Sequence, residues 1–252
     1  MPSLEKPDLV TTNVQWRWPS VHPEGRKFVV VALAIALLFW FVIDWDWIGY
    51  GFLALSIFIA AFFRDPIRTT PVGEGLIIAP ADGLVTMITN VAPPRELQGE
   101  GMLGGEPVVR ISIFMSVFDV HINRSPISGV IRKVHYIAGK FLSADLDKAS
   151  EENERQHILV QAENGSLVAF TQIAGLVARR IVPWIRAEDR VLAGQRIGLI
   201  RFGSRVDVYL PAGTSSQVLL GQRTIAGETI VGRIGVSELI EGVSELIEGV
   251  AQ

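Results

Sequence analysis

The sequence predicts a mainly β chain of the α+β class, in which an N-terminal helical hairpin, transmembrane or membrane-embedded, precedes one compact antiparallel β domain. Three observations carry this reading. Two uninterrupted apolar runs, Phe28 to Ile43 and Trp47 to Phe63, lie close together near the start. From Gly73 onward the apolar runs are short and punctuated by Gly, Pro, Asp and Asn, the pattern of strands joined by turns. Asn164-Gly165, between two such runs, is the clearest hairpin turn in the chain.

Residues 1–27 are polar, contain Pro2, Pro7, Pro19 and Pro23, and show no periodicity, so an irregular tail is expected. Residues 28–63 form the hairpin, with helices over 28–43 and 47–63. Each run spans ~24–26 Å as a helix, slightly short of the ~30 Å hydrocarbon core. Arg26 and Lys27 precede the first run, Arg64 and Arg68 follow the second, and Asp44 and Asp46 lie between them. The positive-inside rule then keeps both ends cytoplasmic. A hairpin held in one leaflet, and a buried hairpin of a soluble protein, are the alternatives. No small-residue cleavage site follows the first run, so no cleaved signal peptide is expected.

Pro66 and Pro71 close the hairpin, and residues 64–252 make up the β domain. Strands are expected over Leu76–Ala79, Gly83–Val91, Val108–Met115, Gly129–Ile137, Ile158–Ala162, Leu167–Ile173, Arg190–Val191, Gly198–Phe202, Arg205–Leu210, Gln217–Leu220 and Thr229–Val236. Residues 143–155 are polar with helix-favouring composition. Residues 235–248 are a perfect seven-residue tandem duplication, read as a chance event at a tolerant terminus.

Composition excludes several chemistries. The 23 basic and 26 acidic residues give a net charge of −3, without the clustered basic excess of a nucleic-acid surface. The absence of Cys removes disulfides, thiol nucleophiles and thiolate metal sites. The four His are not spaced i, i+3 or i+4, so there is no local zinc motif and no metal is expected. The mean hydropathy of +0.35 is high and comes from the hairpin.

Pro80-Ala81-Asp82-Gly83 and Pro126-Ile127-Ser128-Gly129 are alike, each a Pro-x-x-Gly turn entering a strand. Glu188 to Gly198 resembles the turn of lipoyl- and biotinyl-type domains, which points to a barrel-sandwich-like fold. No Lys sits at the tip to carry a cofactor.

Gly203-Ser204 falls between two extended segments. Gly permits backbone geometry that other residues resist, and a Ser hydroxyl beside a Gly carbonyl is placed to attack it. On its own the dipeptide reads as a turn or bulge. Asp82 reads as a turn former and His121, among apolar residues, as a structural histidine.

Taken together, Phe62-Phe63-Arg64-Asp65-Pro66, Ala79 to Gly83, Phe114 to Pro126 with its Asp-Val-His-Ile-Asn-Arg-Ser-Pro block, Gly139-Lys140-Phe141, Asn153-Glu154-Arg155 and Phe202-Gly203-Ser204 resemble the phosphatidylserine decarboxylase family in its short membrane-anchored form. The order matches over roughly residues 62–236.

The resemblance implies that the precursor cuts itself between Gly203 and Ser204, giving a β chain of residues 1–203 and an α chain of residues 204–252. Ser204 would become a pyruvoyl group that forms a Schiff base with the substrate amine, so no separate cofactor is needed. It implies roles for Asp82 in self-cleavage and for His121 in proton transfer. Longer bacterial members carry a second His where this chain has Arg124, which cannot act as a base at neutral pH. Arg124 is then a candidate for the substrate phosphate or carboxylate, and Phe202 and Phe114 for a dry lining. The expected setting is the cytoplasmic face of a bacterial inner membrane. The expected partners are a phospholipid substrate, the chain's own two fragments and a second copy of itself. Two rival readings remain: a non-catalytic membrane-anchored barrel-sandwich adaptor, and a decarboxylase of another serine-headed lipid.

Overall fold

The computed structural model describes residues 17–140, 152–175, 180–201 and 203–237. Phe202, most of the polar 143–155 stretch and most of the 235–248 duplication lie outside the described residues.

Among the described residues two α-helices, one short 3-10 helix (Arg95–Leu97) and fifteen strands follow one another. The N-terminal part holds β1 (Ser20–Val21), α1 (Pro23–Phe41), α2 (Asp46–Phe62) and β2 (Arg64–Asp65). The β domain holds β3 (Leu76–Ile78), β4 (Gly83–Val91), β5 (Val108–Met115), β6 (Ile122–Arg124), β7 (Gly129–Ile137), β8 (Arg155–Gln161) and β9 (Leu167–Ala174). It continues with β10 (Ile181–Pro183), β11 (Arg190–Val191), β12 (Arg196–Ile200), β13 (Ser204–Tyr209), β14 (Arg223–Thr224) and β15 (Ile230–Arg233).

Eight strands form one curled antiparallel sheet in the order β11-β7-β8-β9-β13-β5-β4-β14. A three-stranded sheet, β10-β12-β6, and the pair β15-β3 complete the domain. Ile77, Ile181, Ile197, Ile200 and Val231 from the small sheets share one apolar cluster with Ile111, Ile113, Val206, Val208 and Phe170 of the large one. The small sheets therefore close over one face of the large sheet, an arrangement compatible with a barrel-sandwich. Burying these side chains is the main source of stability, at about 25 cal/mol per Å² of apolar surface.

The turns behave as their residues dictate. Gly165 takes φ 85° between β8 and β9, and the Asn164 side chain accepts from Ser166 N at 3.0 Å. The two Pro-x-x-Gly turns lie side by side, with Ile78 N donating to Pro126 O and Arg124 N to Pro80 O. Their glycines allow close backbone approach: a Cβ on Gly83 would stand 2.2 Å from Phe114 O, and one on Gly129 would stand 2.0 Å from Gln161 O. Gln217–Leu220 is not a strand. Its start meets β15, with Gln217 N donating to Val231 O at 2.9 Å, but Ser216 Oγ bonds both N and O of Val218 and turns the chain there. The short strands β6, β10 and β14 have no alternation to reveal them, being two or three residues long.

The hairpin begins earlier than its apolar run. His22 Nδ1 accepts from Glu24 N at 3.3 Å and Pro23 stands in the first turn, so α1 starts within the segment expected to be an irregular tail. Ala32, Ala36 and Gly49 are buried at the seam, where small side chains let the helices approach. Ser56 Oγ bridges the pair by donating to Val29 O at 3.1 Å.

Among the described residues no helix is long and apolar enough to cross a membrane. Glu24, Arg26 and Lys27 take up the start of α1, and α2 has only 17 residues. The transmembrane form of the expected hairpin is thus unsupported. The hairpin is present and its outer surface is apolar: Phe41 is 78% exposed, Trp47 74% and Val30 63%. Its base docks on the β domain through Phe62 and Phe63, which pack with Val120, Ile122 and Leu199. A Cβ on Gly25 would lie 2.4 Å from Phe63, so only a glycine admits this contact.

Candidate active site

Gly203 and Ser204 mark the step where the chain leaves the small sheet at β12 and enters the centre of the large one at β13. Gly203 makes the bend with φ 57°, a left-handed conformation that side-chain-bearing residues resist. Ser204, fully buried, opens β13 opposite Met115 on one side and Ala174 on the other. Ladder bonds on both flanks thus fix the backbone on the C-terminal side of the Gly203–Ser204 linkage.

His121 stands against this linkage. Its Nδ1 lies 2.9 Å from Asp119 O, an acceptor only, so the proton resides on Nδ1 and Nε2 carries a lone pair. Gly203 N donates to that Nε2 at 3.3 Å. The ring is 2% exposed and lies 4.2 Å, centroid to centroid, from Phe62 at the end of α2. Burial, only partly offset by Asp119, lowers its pKa from 6.5 to about 4. The imidazole is therefore neutral near pH 7. Asp119 also shapes the loop: its carboxylate accepts from Ser116 N at 2.8 Å and from Arg223.

A chain of buried polar side chains leads away from Ser204. Ser204 Oγ lies 3.4 Å from Met115 Sδ, and Asn123 Nδ2 lies 3.6 Å from the same sulfur. Asn123 Oδ1 accepts from Gln172 Nε2 at 2.8 Å, and Gln172 Oε1 accepts from Gln156 Nε2 at 3.1 Å. Thioether sulfur is a weak acceptor, so the Ser204 hydroxyl is only loosely held in this rotamer.

The other expected site residues have partners of their own. Both oxygens of Asp82 are engaged, Oδ2 with Arg68 Nη2 at 2.6 Å and Oδ1 with Ala226 N at 2.7 Å. Burial raises its pKa against the opposing pull of Arg68. Asp82 immediately precedes β4, which is two strands from β13 in the sheet order. Its bond to Ala226 anchors the segment after β14, and Asp119, beside His121, is among the charges that act on Asp82. Arg124 donates to Gly194 O at 2.8 Å and to Pro66 O at 3.1 Å. With both terminal nitrogens on main-chain carbonyls it ties two loops together, and Asp65 Oδ1 lies 3.9 Å from its Nη2. Phe114 pairs with Arg205, so its side chain is on the opposite face of the sheet from Ser204 and does not line the site. Phe202 lies outside the described residues.

Sequence reasoning missed Met115, Asn123, Gln172 and Phe62. The first two lie inside the Phe114 to Pro126 block, but nothing in their spacing shows that β5 and β6 bring them to one point.

A family-wide sequence model described as phosphatidylserine decarboxylase matches residues 55–232. The chain belongs to the phosphatidylserine decarboxylase family. It is similar to the phosphatidylserine decarboxylase proenzyme of Novosphingobium aromaticivorans, 60% identical over 232 residues that cover 90% of this chain and 92% of the relative. The proenzymes of Zymomonas mobilis and Erythrobacter litoralis are each 56% identical, over 92% and 90% of this chain and 94% and 93% of theirs. The match begins in α2 and ends in β15, so it takes in the Phe62 contact, the His121 loop and the Gly203–Ser204 step together.

Proposed function

We propose that this chain is a proenzyme that cuts itself between Gly203 and Ser204 and then converts phosphatidylserine to phosphatidylethanolamine. One observation carries the reading: a neutral imidazole, its Nε2 accepting from Gly203 N at 3.3 Å, faces the linkage beside a buried serine hydroxyl. Family membership and relatives named as proenzymes support it.

The chemistry follows from these groups. His121 Nε2 takes the proton of Ser204 Oγ, which attacks the Gly203 carbonyl carbon. The peptide C–N bond breaks, the Ser204 amine is released, and Gly203 is held to Oγ as an ester. Loss of the Ser204 Cα proton expels the Gly203 carboxylate from Cβ. Water then replaces the nitrogen, which departs as ammonia and leaves a ketone. The site fits the resulting pyruvoyl group. Residue 204 is held by the β13 ladder on both sides, and glycine at 203 leaves the new carboxyl terminus without a side chain to hold it in place. Such a group supplies an electrophilic carbonyl that condenses with the substrate amine and accepts the electrons left when carbon dioxide departs. His121 holds a proton at Nδ1, stays neutral in its dry pocket, and presents Nε2 to the reacting centre.

We also place the hairpin at the cytoplasmic face of a cell membrane, embedded in one leaflet. Its exposed Phe41, Val42, Trp45 and Trp47 support this. Flotation with anionic vesicles tests it: the whole chain floats, and Phe41→Ser/Trp47→Ser floats less.

Electrophoresis under denaturing conditions tests the function. Wild type gives two chains and releases carbon dioxide from phosphatidylserine. Ser204→Ala and His121→Ala each give one uncut, inactive chain. Cleavage unaffected in His121→Ala refutes the assignment of the base. Activity on a different serine-headed lipid alone would replace the substrate.

A further inference from the structure

The hairpin is more than a spacer between the β domain and its surroundings. Between α1 and α2 runs a groove of about 440 Å³ lined by Phe28, Val31, Ile35, Phe52, Leu55 and Ile59. α1 leads away from the β domain and α2 returns, so Phe28 and Ile59 mark the end of the groove nearest the domain. Ile35 and Phe52 mark the far end. From Lys27 to Ile35 the groove follows α1 for ~12 Å.

Its near end holds two cations and one carboxylate. Lys27, the one charged residue lining it, has Nζ 5.1 Å from the centroid of the Phe28 ring, and Arg201 Cζ lies 5.7 Å from the same centroid. Arg201 Nη2 contacts Glu24 Oε2 at 2.7 Å, while its buried Nε has no hydrogen-bond partner among the described residues. Arg201 is two residues before Gly203 in the chain. A continuous row of rings joins this end to the site: Phe28 to Phe63 at 6.1 Å, Phe63 to Phe62 at 5.0 Å and Phe62 to His121 at 4.2 Å between centroids.

We propose that the groove holds an acyl chain of the phospholipid substrate, with Lys27 and Arg201 taking the phosphodiester; this rests on the phosphatidylserine reading above. The order of features matches the order of parts in the lipid. An apolar channel leads to two cations and then to the histidine and the linkage, as acyl chain leads to phosphate and then to the amine and carboxylate. Lys27 and the Arg201 guanidinium, the latter exchanging Glu24 for the ligand, are donors suited to phosphate oxygens. The groove thus selects substrates by their chains as well as their headgroup, and one lipid lies partly along the hairpin while its serine reacts.

The test compares dioleoyl- with dihexanoyl-phosphatidylserine in mixed micelles, using self-cleaved enzyme and following carbon dioxide release. Cleavage at Gly203–Ser204 reports that each variant has folded. Val31→Trp and Leu55→Trp fill the groove. Each is expected to lower the long-to-short ratio of kcat/KM about tenfold through KM, the equivalent of losing two buried methylenes. Ile57→Trp, on an exposed part of α2 outside the groove, keeps the parental ratio. Lys27→Gln raises KM for both lipids, and less so at high salt. An unchanged ratio in the groove variants overturns the proposal. So does an equal fall in Ile57→Trp, which marks a general bilayer effect, or a changed oligomeric mass with an unchanged ratio, which marks a contact between copies. Wild-type enzyme inert on both lipids removes the phosphatidylserine reading itself, a separate failure from loss of chain preference.

Discussion

His121 is tuned by where it sits rather than by a charged partner. Burial against Phe62 holds its pKa near 4, with a main-chain carbonyl fixing the tautomer. The rate of self-cleavage should therefore stay flat from pH 8 down to about 5 and fall only as the pH approaches 4. Stopped time courses at each pH check this, and an inflection near 6.5 would show a solvated histidine instead. Beside it, Asn123→Leu leaves Gln172 Nε2 without its 2.8 Å acceptor in the core. The expected cost is about 1–3 kcal/mol, read from the urea midpoint. The sequence made His121, Gly203 and Ser204 legible, because the family resemblance rests on motifs that contain them. It did not show how Asp82 and Arg124 are held. Both are in the right motifs, but Arg68, Ala226, Gly194 and Pro66, which claim their polar atoms, are distant in sequence or belong to turns without a pattern.

Among the elements, β13 departs most from its sequence reading. Alternation of Val206, Val208 and Leu210 with Arg205, Asp207 and Tyr209 reads as a strand with one wet face. All six are buried, because residues around Leu97, Met102 and Leu103 cover the second face. Arg205 and Asp207 are wholly buried and paired, Nε to Oδ1 at 2.9 Å. Removing one member leaves a buried charge, so Asp207→Ala should cost about 3–5 kcal/mol, whereas replacing both with apolar residues should cost less. Chemical denaturation of the single and double variants compares them. Alternation reports which residues share a face and is silent on what lies over it, which is why the strand was found and its setting was not. The helices show the converse. Their apolar runs gave the hairpin, but the polar start of α1 depends on a cap by His22 that hydropathy does not register.

For the whole molecule, the proposed cut falls at the boundary between two sheets and ahead of the most central strand. β13 pairs with β5 and β9, both N-terminal to the cut, and Asp82 binds Ala226 beyond it. The two fragments should co-elute in native size exclusion and part only in denaturant. Acid should loosen the fold as well. His121 and His157 have folded pKa values of about 4, both lowered mainly by burial, against 6.5 for the free side chain. The unfolded chain then binds protons that the folded chain refuses. Stability falls as the pH drops from about 6.5 to about 4, by up to about 3 kcal/mol per histidine. Thermal melts across that window follow the loss.

The central claim is that the chain makes its own electrophile at residue 204, and the intact mass of active enzyme under denaturing conditions tests it most directly. Two species are predicted, residues 1–203 and residues 204–252, the second with a blocked amino terminus that reacts with hydroxylamine. A single chain of 27.6 kDa in material that still decarboxylates phosphatidylserine would contradict it.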